Sequence, residues 1–69
     1  MYAVGVNTTR FGEFDEMRFE SRREAVKREE QLIELMWDNE REYVEWDDIN
    51  RIMHQIKNNV YFENIEEAE

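Results

Sequence analysis

The sequence predicts an α+β fold, in which a small antiparallel sheet has two helices packed on one face. Near the N-terminus, apolar residues alternate with small ones, which is the period of a strand. Two later segments repeat their apolar residues every three or four positions, which is the period of a helix buried along one side. The predicted order is strand, strand, helix, strand, helix, with an optional final short strand. Residues 1–62 are expected to form a single domain.

The first two strands are predicted to form a hairpin. Residues 2–6 alternate as strand residues do, and the turn-forming residues 7–12 should reverse the chain. Residues 13–20 then predict a second strand, with Asp15, Met17 and Phe19 on one face. A hairpin of this pattern has one packed face and one wet face.

The first helix is predicted over residues 22–37. Ser21 precedes Glu24 by three positions, which is the spacing of a capping box. Arg22 and Arg23 at the helix start oppose the helix dipole. The apolar stripe of this helix comprises Ala25, Val26, Leu32, Ile33, Leu35 and Met36.

The remaining elements follow from composition and spacing. Residues 42–46 contain Tyr, Val and Trp and predict a third strand. Asp47 or Asp48 is expected to cap a second helix, whose apolar residues Ile49, Ile52, Met53 and Ile56 have the clearest helical spacing. Asn58 and Asn59 are expected to end it, because Asn tolerates the left-handed conformation. Residues 60–62 predict a short strand or a packed segment, and residues 63–69 an acidic tail.

The net charge and the cysteine content limit the kinds of function that this chain can have. The 69 residues contain 18 acidic and 9 basic side chains, a net charge of −9, and no cysteine. An acidic chain is a poor ligand for DNA, RNA or anionic membranes, because phosphate binding requires clustered Lys and Arg. We therefore expect no direct nucleic-acid contact and no membrane association. The N-terminus lacks a secretory pattern, which predicts a cytoplasmic location.

Residues for catalysis or metal binding are sparse. His54 is the single histidine, and a structural role on the second helix explains it. The acidic residues after Asp38 resemble a calcium loop only in part, since Tyr43 occupies the glycine position and Ile49 the bidentate glutamate position. A carboxylate pair for acid–base catalysis needs a desolvated pocket, for which a short chain has little volume. We expect no enzymatic activity and no cofactor.

The acidic residues are clustered, and this clustering is the functional signal. Between residues 38 and 48, six acidic residues face Arg41 alone, and the tail adds four more. Basic residues concentrate instead at the start of the first helix. The candidate partner-binding residues are Asp38, Glu40, Glu42, Glu45, Asp47, Asp48, Glu13, Asp15, Glu16 and Trp46.

Two interpretations of these charges remain open. They form an ordinary solvated surface that keeps a small domain soluble, or they imitate the charge of DNA and fill a cationic groove. In the second case, aromatic edges at Trp37, Tyr43 or Trp46 would supply central contacts. The alternative for both Trp residues is a place in the core.

In size, charge, absence of cysteine and mixed strand–helix pattern, the chain resembles the small acidic proteins that phages direct against their hosts. The resemblance rests on stretches such as residues 38–48. It implies an inhibitor in the host cytoplasm that binds a basic DNA-binding protein, with a nucleoid protein of the HU type favoured. The rival hypothesis is an adaptor or antitoxin-like interaction module whose partner does not bind DNA. Homodimerisation is compatible with either hypothesis.

Overall fold

The computed structural model describes residues 1–65 and confirms the α+β class. The residues 66–69 of the predicted tail lie outside the described residues. The elements in order are strand β1 (Tyr2–Val6), strand β2 (Met17–Phe19), helix α1 (Arg22–Glu40), 3-10 turns at Arg41–Tyr43 and Trp46–Asp48, helix α2 (Ile49–Asn59) and strand β3 (Val60–Asn64).

The sheet is antiparallel, with β1 at its centre and the order β2–β1–β3. Val4 is opposite Met17 on one side and opposite Phe62 on the other. Residues 60–62, predicted as either a short strand or a packed segment, therefore form part of a strand. It continues to Asn64, so Glu63, which was predicted to lie in the acidic tail, lies in the sheet.

The core lies between the sheet and the helices. Its buried apolar residues are Val4, Phe11, Ala25, Leu32, Met36, Ile52 and Ile56. Because β1, α1 and α2 all contribute to this one cluster, both helices lie on the same face of the sheet, as predicted. Leu35, assigned to the buried stripe of α1, is 38% exposed instead.

β2 is shorter than predicted, because aromatic residues draw the preceding chain away from the sheet. Phe11 is only 4% exposed, and Phe14 packs against the same core. Residues 13–16 therefore follow the path set by these two anchors, and pairing with β1 begins only at Met17.

The predicted strand at residues 42–46 is wrong. The segment forms parts of two 3-10 turns joined by an extended link. Of its strand-forming residues, only Val44 packs against the core, whereas Tyr43 and Trp46 are exposed. A strand needs a paired neighbour, and residues 42–46 pair with none of the three strands of the sheet.

The helix ends are close to their predicted positions, but the predicted side-chain capping hydrogen bonds are not formed. α1 continues three residues beyond the predicted Trp37, to Glu40. Ser21 and Asp48 are the N-cap residues of α1 and α2, yet neither side chain makes a capping hydrogen bond. At α1, the Ala25 N–H donates to the backbone carbonyl of Ser21 at 3.2 Å. The predicted capping box therefore does not form.

α2 ends at Asn59, but not through a left-handed residue, since no non-glycine residue among those described has a positive φ. Asn59 is buried instead, at 8% exposure. Its side-chain amide donates to the Thr8 carbonyl at 3.5 Å, and its own carbonyl accepts from the Asn7 N–H at 2.8 Å. Burial of a polar group is stabilised by these bonds, which join α2 to the chain leaving β1.

On the sheet face away from the helices, a tyrosine ring covers a glycine. Gly5 in β1 is opposite Tyr61 in β3. A Cβ atom on Gly5 would lie only 2.4–2.9 Å from ring and hydroxyl atoms of Tyr61. The absence of a side chain at Gly5 therefore allows the ring to lie flat across β1, an arrangement in which an aromatic residue covers a strand glycine.

Gly5→Ala is expected to destabilise the protein by roughly 1–3 kcal/mol, because the added methyl group displaces Tyr61. Urea denaturation measures the change. In a Tyr61→Ala background the same substitution should be neutral or stabilising, since alanine is intrinsically better than glycine in a strand. Equal destabilisation in both backgrounds would contradict the contact.

Candidate functional site

The predicted acidic segment forms one end of the molecule. It begins in the last turn of α1, passes through the two 3-10 turns and stops at the start of α2. Val44 anchors the middle of the segment on the core, and the Asp48 N–H donates to the Glu45 carbonyl at 2.9 Å. We call residues 38–48 the acidic end. Its acidic residues are thus held on a short connection with fixed turns, not on a strand.

The acidic side chains at this end divide into paired and unpaired groups. Asp38 forms an exposed ion pair with Arg41 at 3.7 Å. Asp48 forms another with Arg51 at 3.4 Å, a contact that sequence reasoning missed although its i,i+3 spacing is typical of helical pairs.

The unpaired acidic residues are those most available to a partner. Glu42, Glu45 and Asp47 are exposed and make no ion pair within residues 1–65. Glu40 is half-buried at the end of α1. An incoming cation would therefore meet three free carboxylates without first breaking an internal ion pair.

Two aromatic side chains lie exposed among these carboxylates. Tyr43 is 81% exposed and Trp46 is 84% exposed, whereas Trp37 is half-buried against the core. Of the two alternatives for the Trp residues, a place in the core applies to Trp37, whereas an exposed position available to a partner applies to Trp46. Trp46 and Tyr43 are thus aromatic side chains available for contact with a partner.

The acidic residues before β2 are divided between two places. The Asn39 side-chain amide donates to the Phe11 carbonyl at 3.1 Å, which holds the chain just before Glu13 against the last turn of α1. Glu13 thus lies near the acidic end, and the exposed Asp15 follows it. Glu16 belongs to the outer face of the sheet, where it is bound by other side chains.

Glu16 is engaged in two internal contacts. The Tyr61 hydroxyl donates to its carboxylate at 2.7 Å, and Arg18 Nε donates at 3.2 Å. The hydrogen bond from Tyr61, and then that from Arg18, lower the pKa of Glu16 below its ordinary value of 4.5. In return, the bond to Glu16 raises the pKa of Tyr61 above 10.0. Of the ten candidate residues, Glu16 therefore has a clear internal role.

The charges of α1 run against its macrodipole. Arg22 and Arg23 occupy its positive N-terminal end, and its last turn contains Asp38 and Glu40 but no basic residue. Each such placement is unfavourable by roughly 0.3–1 kcal/mol at low ionic strength. The molecule consequently has a basic end at the start of α1 and an acidic end at its finish.

Other kinds of site find little support in the described residues. Within residues 1–65 there is no group of three or more side chains placed to hold a metal ion. His54 is exposed on α2. The helices of this part of the chain are too short or too polar to cross a membrane.

Comparison of the chain with protein-family models, with curated proteins and with solved structures finds no match. The geometry of the acidic end therefore provides the basis for a function.

Glu16→Gln is expected to lower the pKa of Tyr61 toward 10.0, because the negative acceptor is removed. Tyrosinate absorbance, with Tyr61→Phe as the reference, measures this shift. Asp15→Asn is the matched control, since Asp15 is an exposed neighbouring carboxylate. An unchanged Tyr61 titration in Glu16→Gln would contradict the contact.

The same contact predicts a pH dependence of stability. The Glu16 pKa is lowered on folding, so its contribution is present above pH 4.5 and is lost as the pH falls through the folded-state value. The Tyr61 pKa is raised, so its contribution is present below pH 10.0 and is lost as the pH rises through the folded-state value. Glu16→Gln should flatten both limbs of the stability profile.

Proposed function

We propose that this protein binds a basic protein through its acidic end, at a surface that normally holds nucleic acid. The observation that carries the proposal is the exposure of Trp46 and Tyr43, at 84% and 81%, among the unpaired carboxylates Glu42, Glu45 and Asp47. This combination provides charge for recognition and aromatic area for affinity.

The aromatic residues support a binding role because their exposure is unfavourable in the free protein. Tyr and Trp are enriched among the residues that contribute most to protein interfaces. Trp46 begins a fixed 3-10 turn, and Val44 holds the neighbouring chain against the core. Docking such a side chain loses little backbone entropy, since the turn is already formed.

The charges support a cationic partner. Exposed carboxylates pair well with guanidinium groups, often through two hydrogen bonds. The unfavourable placement of Asp38 and Glu40 at the C-terminal end of α1 is explained if a negative field is needed there. A DNA-binding cleft of the HU type presents the Lys and Arg side chains that such a field would attract.

Charge alone would imitate DNA only weakly. Along 20 Å of axis, equal to the middle dimension of this molecule, duplex DNA carries about 12 negative charges. The acidic end carries a net charge of −5, from six acidic residues and Arg41. Trp46 and Tyr43 must therefore supply a substantial share of the affinity.

The same exposed aromatic residues also favour a second candidate, an interaction module whose partner does not bind DNA. Salt distinguishes the two functions. Binding to a basic cleft weakens steeply as salt is raised, whereas aromatic docking on a neutral surface does not.

We favour binding over catalysis because neither of two grooves among the described residues contains paired carboxylates. One open groove is lined by Met17, Phe19, Glu24, Lys27, Arg28 and Gln31, and contains a single carboxylate. Another, between the chain after β1 and the end of α2, is lined by amides, a threonine, Arg10 and Phe11. An acid–base pair needs two carboxyl groups in different environments.

The test is displacement of a labelled DNA duplex from a purified HU-type nucleoid protein, followed by fluorescence anisotropy. The unmodified protein should displace the duplex, and less effectively as salt rises. Neutralising the free carboxylates with Glu42→Gln, Glu45→Gln and Asp47→Asn should weaken displacement at least about threefold, since even exposed pairs contribute a few tenths of a kcal/mol each. Trp46→Ala should weaken it about thirtyfold, which is the effect of losing a central aromatic contact.

The matched control carries Glu20→Gln, Glu24→Gln and Glu63→Gln, three exposed residues outside the acidic end. It changes the net charge equally and should displace DNA normally. Equal weakening of displacement by both triple variants would show that the net charge of the protein, and not the position of the carboxylates, determines binding. Absence of displacement by the unmodified protein, with binding that ignores salt and DNA, would favour the interaction module.

A further inference from the structure

Unpaired basic side chains gather at the start of α1, at the opposite end of this helix from the acidic end. The ion pairs within residues 1–65 use Arg18, Arg41 and Arg51. The basic residues in the first two turns of α1 are at least partly exposed and take part in none of these pairs: Arg22, Arg23, Lys27 and Arg28. Free cations therefore lie at one end of α1 and free carboxylates at the other.

An open groove of about 540 Å³ lies beside these cations, between β2 and α1. Met17 and Phe19 form its apolar part, and Met17 is 43% exposed. Lys27 and Arg28 give it positive charge, which its single carboxylate, Glu24, offsets only in part. We call it the basic groove. An occupant should offer an apolar side chain together with negative charge.

Helix geometry keeps the next acidic residues of α1 out of the basic groove. The residues of α1 that line the groove have the spacing i, i+3, i+4 and i+7, which is one face of a helix: Glu24, Lys27, Arg28 and Gln31. Glu29 and Glu30 lie outside that series and project from other sides. Arg28 Nη1 donates to Gln31 Oε1 at 2.8 Å, and Arg28 Nε has no partner among the described residues. The chain itself therefore neither neutralises this guanidinium nor satisfies all of its donors.

We propose that the basic groove binds the acidic end of a second copy of this chain, with Trp46 inserted beside Met17 and Phe19. Glu45 and Asp47 flank Trp46 in the sequence, so insertion of the ring brings two free carboxylates to the groove. The groove is large enough for one ring, because pockets for whole small molecules begin near about 300 Å³. The acidic end thus offers both the apolar side chain and the negative charge.

The contact forms between copies, because the two surfaces cannot meet within one molecule. From Arg28 to Glu40, α1 rises about 18 Å, at about 1.5 Å per residue. Each contact uses the acidic end of one copy and the basic groove of the other, so one surface of each kind stays free. Such a heterologous contact continues into longer oligomers or closes a ring. A copy whose acidic end is occupied in this way cannot bind another partner there.

The net charge of −9 does not prevent this contact at physiological salt. Charges separated by more than the Debye length of about 8 Å are largely screened, and the molecule is 49 Å long. The charges at the contact therefore matter more than those elsewhere. Because exposed ion pairs contribute little each, Trp46 supplies most of the affinity, helped by a sulfur–aromatic contact with Met17.

The test starts with sedimentation velocity of the unmodified protein over a range of concentrations. The average size should rise with concentration, and should fall as salt is raised from about 0.15 M to 1 M. Trp46→Ala should weaken self-association about thirtyfold, which is the effect of losing a central aromatic contact. Lys27→Glu should weaken it about threefold, because repulsion replaces attraction. Lys57→Glu, an exposed site at the end of α2, changes the net charge equally and should have no effect.

Mixing two defective variants distinguishes this contact from a symmetric one. Trp46→Ala retains an intact basic groove, and the double variant Met17→Glu with Lys27→Glu retains an intact acidic end. Each should be monomeric alone at concentrations where the unmodified protein associates. Their mixture should form a one-to-one dimer and stop there, because only one intact acidic end and one intact groove can meet.

Cross-linking with a carbodiimide identifies the surfaces in contact, because this reagent joins a lysine amine directly to a carboxylate. The chain has two lysines, Lys27 and Lys57. In an equal mixture of ordinary and nitrogen-15-labelled protein, mass spectrometry should find links between copies that join Lys27 to Glu42, Glu45 or Asp47. Lys57 is the internal control and should form few such links.

Four outcomes would overturn the proposal: a monomer at every concentration, equal weakening by Lys27→Glu and Lys57→Glu, a mixture of the two defective variants that stays monomeric, or cross-links mainly through Lys57. Circular dichroism confirms that each variant is folded. These measurements use the protein alone, so their result is independent of whether the acidic end also binds a basic DNA-binding protein.

Discussion

The structure depends on the pairing of β1 with a strand on each of its sides. Val4 faces the helices and is fully buried, whereas Gly5 faces away from them and is covered by Tyr61. The packing on the two faces of the sheet, against the helices on one face and against the Tyr61 ring on the other, therefore depends on two adjacent residues of β1. The helical core is small, and without β2 and β3 beside β1 the apolar surface beneath α1 and α2 would be open to water.

The distribution of charge lowers the stability of this small fold but suits the proposed function. Unpaired carboxylates gather at one end of the molecule, where the dipole of α1 is also negative. The side chains of Glu42, Glu45 and Asp47 take no part in the polar contacts that stabilise the fold, which are made by Glu16 with Tyr61, by Asn59 and by Asn39. Because the two sets of residues are separate, a partner could bind these carboxylates without breaking the contacts that stabilise the fold.

Periodicity predicted the elements whose side chains face the core. The spacing of Ile52 and Ile56 located α2, and the alternation around Val4 located β1. Local composition failed at residues 42–46, where Tyr43 and Trp46 face solvent and the segment pairs with neither edge strand of the sheet. It also could not foresee that Phe11 would shorten β2, because that depends on a contact with residues distant in the chain. The clustering of acidic residues in the sequence identified the acidic end. Which of Trp37 and Trp46 is exposed could be seen only in the folded structure.

The position of β1 also has a consequence for synthesis. β1 leaves the ribosome well before β3, and at ordinary translation rates of about 5–20 residues per second the 54 residues from Val6 to Val60 take roughly 3–11 s. During that time one edge of β1 has no neighbour in the chain. Glycine weakens an isolated strand. Because Gly5 lowers the strand propensity of nascent β1, it should make this segment a poorer template for aggregation until Tyr61 is synthesised.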